Sequence, residues 1–175
     1  MMNELFILGE LMEGPQNGYK LCLLMQLSLG KHRKISCGVI YPLFDKLANS
    51  ELITLTNEQK GRNQNIATIT AKGKERFYQL MEQPIPEGAH KEDIYLIKLD
   101  AMQHLPLDWQ LKLLDEYMDE QKTVIVDAQR HIEKLLNEKC IDHWYAQKKI
   151  ELRLRQTMVA TEWADAFKQE LKNQQ

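Results

Sequence analysis

Apolar residues recur at short helical and strand-like spacings up to about residue 82, and at long helical spacings beyond residue 89. Asn3 to Met12 places Leu5, Leu8, Leu11 and Met12 on one side of a short helix, which Glu13-Gly14-Pro15 should stop. Asn17 is placed to cap a second helix running to about Leu29, with Leu21, Leu24 and Met25 inward and Gly30 ending it. A third helix is predicted over Ser36 to Asn49, with Ser36 as its N-cap. At about 100° per residue, Val39, Ile40, Leu43, Phe44 and Leu47 share one arc. The opposite side carries Gly38, Tyr41, Pro42, Asp45 and Asn49, a face that is small, flat or hydrogen-bonding where a merely solvated face would be rich in Lys and Glu. Pro42 removes an N–H and crowds the carbonyl four residues back, which predicts a local bend. Gly38 sits at that carbonyl and leaves room for it.

Glu51 to Leu55 and Ile66 to Thr70 are β-prone runs joined by a polar, turn-rich segment with Gly61 in its middle. They predict a β-hairpin with a long tip. Thr70 then opens a fourth helix packed through Phe77, Leu80 and Met81. Two prolines and a glycine within Gln83-Pro84-Ile85-Pro86-Glu87-Gly88 break all periodicity and mark a linker. The domains expected are therefore 1–82 and 89–175, joined by 83–88.

The second domain reads as entirely helical. Glu92 to Leu105 carries Ile94, Ile97, Ala101 and Leu105 at helical spacing, and Pro106 suits the first turn of the next helix. From there Leu107, Leu111, Leu114, Met118, Gln121, Ile125, Ala128, Ile132 and Leu135 alternate steps of four and three, a heptad-type seam. A helix over 106–138 would be about 50 Å long, too long for a small domain to bury alone. Leu152, Val159, Trp163, Phe167 and Leu171 form a stripe on a last helix over roughly 142–172, which offers a partner within the chain, between subunits, or both. The residues expected to dimerise are Leu111, Leu114, Met118, Ile125, Ile132, Leu135, Val159, Trp163 and Phe167.

The fold class expected is mainly α with a small β-hairpin. Helix, helix, helix, hairpin, helix is the order of a winged helix-turn-helix, whose third helix enters the DNA major groove while the hairpin reaches backbone or minor groove. Charge supports this once it is divided. Residues 1–83 hold 10 Lys/Arg against 8 Asp/Glu, and residues 84–175 hold 13 against 17, so a chain of net charge −2 has its positive excess in the first part. Lys31, Arg33 and Lys34 precede the third helix, and Lys60 and Arg62 fall in the hairpin tip, both places where phosphate is met. Together with Ser36, Gly38, Tyr41, Pro42, Asp45 and Lys46 they form the candidate DNA surface.

Leu8-Gly9-Glu10-Leu11, with Gly14-Pro15-Gln16-Asn17-Gly18-Tyr19-Lys20-Leu21 after it, resembles the opening of the PadR family of bacterial transcriptional regulators. Val39-Ile40-Tyr41-Pro42-Leu43, Leu47 and Leu52-Ile53 resemble that family's recognition helix and following strand. Gly61-Arg62, then Ile69-Thr70 and Gly73, complete the pattern. The resemblance covers residues 3 to about 82. The chain departs from it at Lys31-His32-Arg33-Lys34, where the family usually has aromatics and a second proline. It implies a homodimeric repressor on palindromic operator DNA, Tyr19 and Lys20 as further DNA contacts, a C-terminal helical dimerisation domain, and release by a small molecule such as a phenolic acid or drug. The competing reading is a winged-helix protein-interaction module without DNA binding.

Other chemistry is not indicated. There is no Gly-rich phosphate loop, Gly-x-Ser-x-Gly or His-Glu-x-x-His, and the five histidines show no ligand spacing, so neither catalysis, cofactor nor metal is expected. No apolar run approaches a membrane span and no signal peptide is read, which makes a cytoplasmic protein the expectation. Cys22, Cys37 and Cys140 show no disulfide or metal spacing. Cys22 reads as a buried thiol. Cys37, beside a helix N-terminus and basic residues, is the more reactive candidate.

Overall fold

The computed structural model describes residues 1–28, 30, 38, 40–58, 64–137 and 143–174. The elements in order are α1 (Met2–Glu13), β1 (Gln16–Asn17), α2 (Gly18–Ser28), α3 (Ile40–Asn49), β2 (Ile53–Glu58), β3 (Gln64–Ile69), α4 (Ala71–Glu82), α5 (Lys91–Ala101), a 3-10 turn (Met102–His104), α6 (Leu107–Asn137) and α7 (Trp144–Asn173). The fold is thus mainly α with a small antiparallel sheet, of strand order β1-β3-β2. Packing divides the chain into two compact units, Met1–Leu105 and Pro106–Gln175.

In the first unit, α1 is buried nearly all round by Leu5, Phe6, Ile7, Leu8 and Leu11, and it packs on α4 and α5. β2 and β3 pair from Ile53↔Ile69 to Glu58↔Gln64, which forms the expected hairpin. The strand β1 is not apparent in the sequence; Gln16 and Asn17 pair with Ala67 and Ile66 of β3. The hairpin is clamped at its root. Thr70 caps α4 by accepting a hydrogen bond from the Gly73 N–H at 3.0 Å, and its hydroxyl donates to the Glu51 carbonyl at 2.7 Å. The Thr70 N–H also donates to the Leu52 carbonyl at 3.0 Å. Gly73 is needed there, because a β-carbon would overlap the Leu52 carbonyl oxygen and stand 2.8 Å from Ile69 Cγ1.

The helix α5 belongs to this unit, although a boundary at 83–88 would separate it. Ile94, Ile97 and Ala101 are buried, and Gly9 of α1 lets Ala101 approach so closely that a β-carbon on Gly9 would lie 3.2 Å from that of Ala101. The fully buried Lys98 donates to the carbonyls of Met81 at 2.7 Å and Gln83 at 2.6 Å, satisfying the end of α4. A linker rich in proline can therefore separate two helices that still share one core.

In the second unit α6 and α7 form an antiparallel hairpin. Asp115, early in α6, pairs with Lys168, late in α7, and the rings of Tyr117 and Trp163 meet edge to face at 6.5 Å. Leu114, Met118 and Ala128 of the α6 seam are buried, whereas Leu111, Ile125, Ile132 and Leu135 are half-buried; Leu113 and Tyr117 are buried beside them. The predicted stripe of α7 is not its inner face. The buried line is Ile150, Thr157 and Ala164, seven residues apart. Leu152 at 58%, Val159 at 64% and Trp163 at 48% remain exposed, while Phe167 and Leu171 are half-buried. Small side chains at 157 and 164 let the helices approach, and the larger apolar groups turn outward.

Cys22 is buried in α2 and disulfide-bonded, which corrects its reading as a free thiol. Its partner lies outside the described residues, as does the Cys37 expectation.

Candidate nucleic-acid interface

The helix α3 presents two chemically distinct sides. Ile40, Phe44 and Leu47 are buried, while Tyr41, Pro42, Asp45, Lys46 and Asn49 are exposed. Leu43, expected in the buried arc, is half-buried and lines an open groove with Met1, Met2 and Lys46, so the core load falls on Phe44 and Leu47 instead. The bend expected at Pro42 turns on the residues just before Ile40, and Val39 lies outside the described residues.

The far end of α3 is fixed by a Schellman arrangement. The Leu52 N–H donates to the Leu47 carbonyl and the Glu51 N–H to the Ala48 carbonyl, both at 2.9 Å, with Glu51 in the left-handed region at φ 61°. Lys72 reaches Glu51 at 3.0 Å, and that hydrogen bond, then the lysine's charge, hold the Glu51 carboxyl below its ordinary range. The geometry leads α3 directly into β2, so the exposed helix face and the hairpin are held as one piece.

The start of α2 meets the start of α3. The Asn17 side chain accepts from the Lys20 N–H at 2.8 Å, the N-cap expected from the sequence. Gly18 follows, and the Tyr41 ring lies against it: a β-carbon on Gly18 would stand 2.9 Å from Tyr41 Cε1. Tyr41 nevertheless remains 53% exposed, and Tyr19 and Lys20 are exposed beside it. The structure thus joins Tyr19, Lys20 and Tyr41 around Gly18 and continues that surface along Pro42, Asp45 and Lys46. Gly38 is exposed. Gly18 is the residue that sequence reasoning missed, and its position just before an aromatic at a helix start was the available signal. Lys31, Arg33, Lys34, Ser36, Lys60 and Arg62 lie outside the described residues.

This surface offers side chains and a helix N-terminus rather than a reaction centre. Tyr, Asp and Lys on α3 offer donor and acceptor groups to base edges. Among the described residues no group of three His, Cys, Asp or Glu is placed to hold a metal ion, and no helix is long and apolar enough to cross a membrane.

Residues 7–79 match the model of the transcriptional regulator PadR-like family. The chain carries a PadR-like domain. The match runs from within α1 to within α4 and takes in β1, β2, β3 and the Gly18–Tyr41 contact. The matched family is described as one of transcriptional regulators. No curated protein matches the chain. Among solved structures, the chain is similar to Bacillus subtilis PadR in complex with operator DNA, with 22% identity, TM-score 0.45 and 96% of each chain covered. It is similar to the PadR-like transcriptional regulator BC1756 from Bacillus cereus, with 21% identity, TM-score 0.43 and 99% of each chain covered. It is also similar to B. subtilis PadR in complex with p-coumaric acid, with 21% identity, TM-score 0.42, and 98% of this chain and 96% of the other covered.

Proposed function

We propose that this PadR-like regulator is a homodimeric repressor that binds palindromic operator DNA through α3 and the β2–β3 wing and is released by a small-molecule effector. The observation that carries the reading is the exposed face of α3, where Tyr41, Pro42, Asp45 and Lys46 stand opposite a buried arc in a domain matched to transcriptional regulators. Lys31, Arg33, Lys34, Lys60 and Arg62 then serve as phosphate contacts, which set affinity and register while α3 sets sequence preference.

A gel shift with DNA from the promoter of its own or a neighbouring gene tests the reading. Specific retardation, resistant to random competitor, is expected. Its absence at micromolar protein would favour the protein-interaction module. In the same titration, Arg62→Ala should weaken operator and random DNA alike. It should also reduce the slope of log affinity against log salt by about 0.9 for each phosphate that is no longer neutralised. An unchanged slope would show that Arg62 does not meet phosphate.

Dimerisation is assigned to the helical hairpin. Leu152, Val159 and Trp163 make an exposed apolar stripe on α7, the kind of surface that a second chain covers. Two recognition helices on a two-fold dimer would sit one DNA turn apart, about 34–36 Å. Sedimentation should find a dimer at micromolar concentration. Val159→Glu should give a helical monomer with much weaker operator binding, because 159 is exposed in the single chain. A full-length monomer would exclude the two-fold model.

A further inference from the structure

A cavity of about 270 Å³ lies inside the first unit, between α1, α2 and α5. Buried Phe6 and Ile97 and half-buried Leu24 give it an apolar floor, and Glu10, Glu13 and Asp100 stand around it toward solvent. Its volume suits a single-ring compound, and its lining combines an apolar base with carboxylates alone as charged groups. We propose that this cavity is the effector site of the regulator and that it takes a small aromatic or aliphatic amine in its cationic form, not a phenolic acid.

The three carboxylates differ in what they have already engaged. Glu13 accepts from the Gln103 amide and lies 2.9 Å from His104 Nε2. Glu10 and Asp100 have no ion-pair partner among the described residues, which leaves both for an incoming ammonium group. Burial first, then Asp100 and Glu13, push the Glu10 carboxyl above its ordinary range, while Lys20 pulls partly the other way. A site with this surplus of negative potential attracts a cation and repels a carboxylate of the same shape, and a low-dielectric floor strengthens both effects.

The place of the cavity connects it to the DNA surface. Leu24 lies on α2, whose first residue, Gly18, is the seat of the Tyr41 ring. A ligand seated between α2 and the α1–α5 pair bears on α2. Movement of α2 carries Gly18 with it, and Tyr41 must follow. The same contact that sets the recognition residue thereby reports on the cavity.

This inference rests on the regulator reading, and its test separates the two. Phenethylamine and 3-phenylpropionate, near-isosteres of opposite charge at pH 7, are titrated calorimetrically into the full-length protein at equal ionic strength. The amine should bind once per chain, and the acid at least about tenfold more weakly, a difference of about 1.4 kcal/mol. The double variant Glu10→Gln, Asp100→Asn keeps the shape of the site and should weaken the amine by about tenfold or more with an unchanged circular-dichroism spectrum. Equal or tighter binding of the acid, no binding of the amine, or undiminished amine binding by the double variant would each overturn the proposal. Promoter-DNA affinity with and without amine is the second readout. Loss of DNA affinity on adding amine is expected. Unaltered affinity despite binding would reject the effector role, and absence of any DNA binding would defeat the regulator reading while the calorimetry still judged the cavity.

Discussion

Gly73→Ala is expected to destabilise the winged helix by about 3 kcal/mol, at the upper end of the usual cost of overpacking. The added methyl would meet the Leu52 carbonyl oxygen and the Ile69 side chain. Neither can withdraw cheaply. The Leu52 carbonyl is already the acceptor of the Thr70 N–H, and Leu52 follows the left-handed turn at Glu51. Ile69 is paired with Ile53 at the base of the hairpin. Relief would require α4 to move away from the wing root, breaking the Thr70 cap, itself worth about 1 kcal/mol. Urea unfolding should show the effect as a lower midpoint at unchanged slope. A change below about 1 kcal/mol would mean that α4 tolerates displacement and that the clamp is not rigid.

Tyr41→Ala should act on function and leave the fold standing. The side chain is half-exposed and its ring rests on Gly18, so its removal should cost about 1 kcal/mol or less of stability. Operator affinity, in contrast, should fall about a hundredfold, since a base-edge contact is worth about 1–3 kcal/mol and a two-fold dimer loses it in both half-sites. Affinity for random DNA should change only a few-fold, because phosphate contacts are untouched. Competition gel shifts with operator and random duplexes measure the two together. A folded variant with undiminished operator affinity would show that Tyr41 does not face the bases. Phe44→Ala is the natural control: Phe44 is buried on the other side of α3, and its truncation should appear as instability.

Local chemistry is readable from sequence, and contacts between distant segments are not. The Asn17 and Thr70 caps, the Ile53–Ile69 hairpin and the two-sided character of α3 all depend on residues close in the chain, and the sequence pattern predicts each of them. It does not predict the strand β1, since two polar residues carry no alternation and become a strand only when β3 lies alongside. The seating of Tyr41 on Gly18 spans 23 positions and has no periodic signal. The proline-rich link misplaces α5, because prolines mark a break in helix, which need not be a break in packing. Gly9, Ala101 and Lys98 decide that, and two of the three look ordinary in sequence. α7 carries two candidate stripes, and hydrophobicity favours Leu152, Val159 and Trp163 over Ile150, Thr157 and Ala164. Distance of approach decides otherwise, because small residues permit closer helices and large ones do not. The candidate effector cavity is not legible at all, since its carboxylates come from helices that are neighbours only after folding.

The outward stripe on α7 also bears on dosage. A chain that buries Thr157 and Ala164 while leaving Trp163 and Val159 in water keeps large apolar side chains exposed when it is alone. Under the dimer reading, each molecule's resistance to unfolding then depends on how many others are present, by mass action. Freshly made chains at low copy number would be the first degraded, and operator occupancy would rise more steeply than in proportion to synthesis. The arrangement of one helix face would thereby set a threshold of expression below which the regulator is both scarce and short-lived.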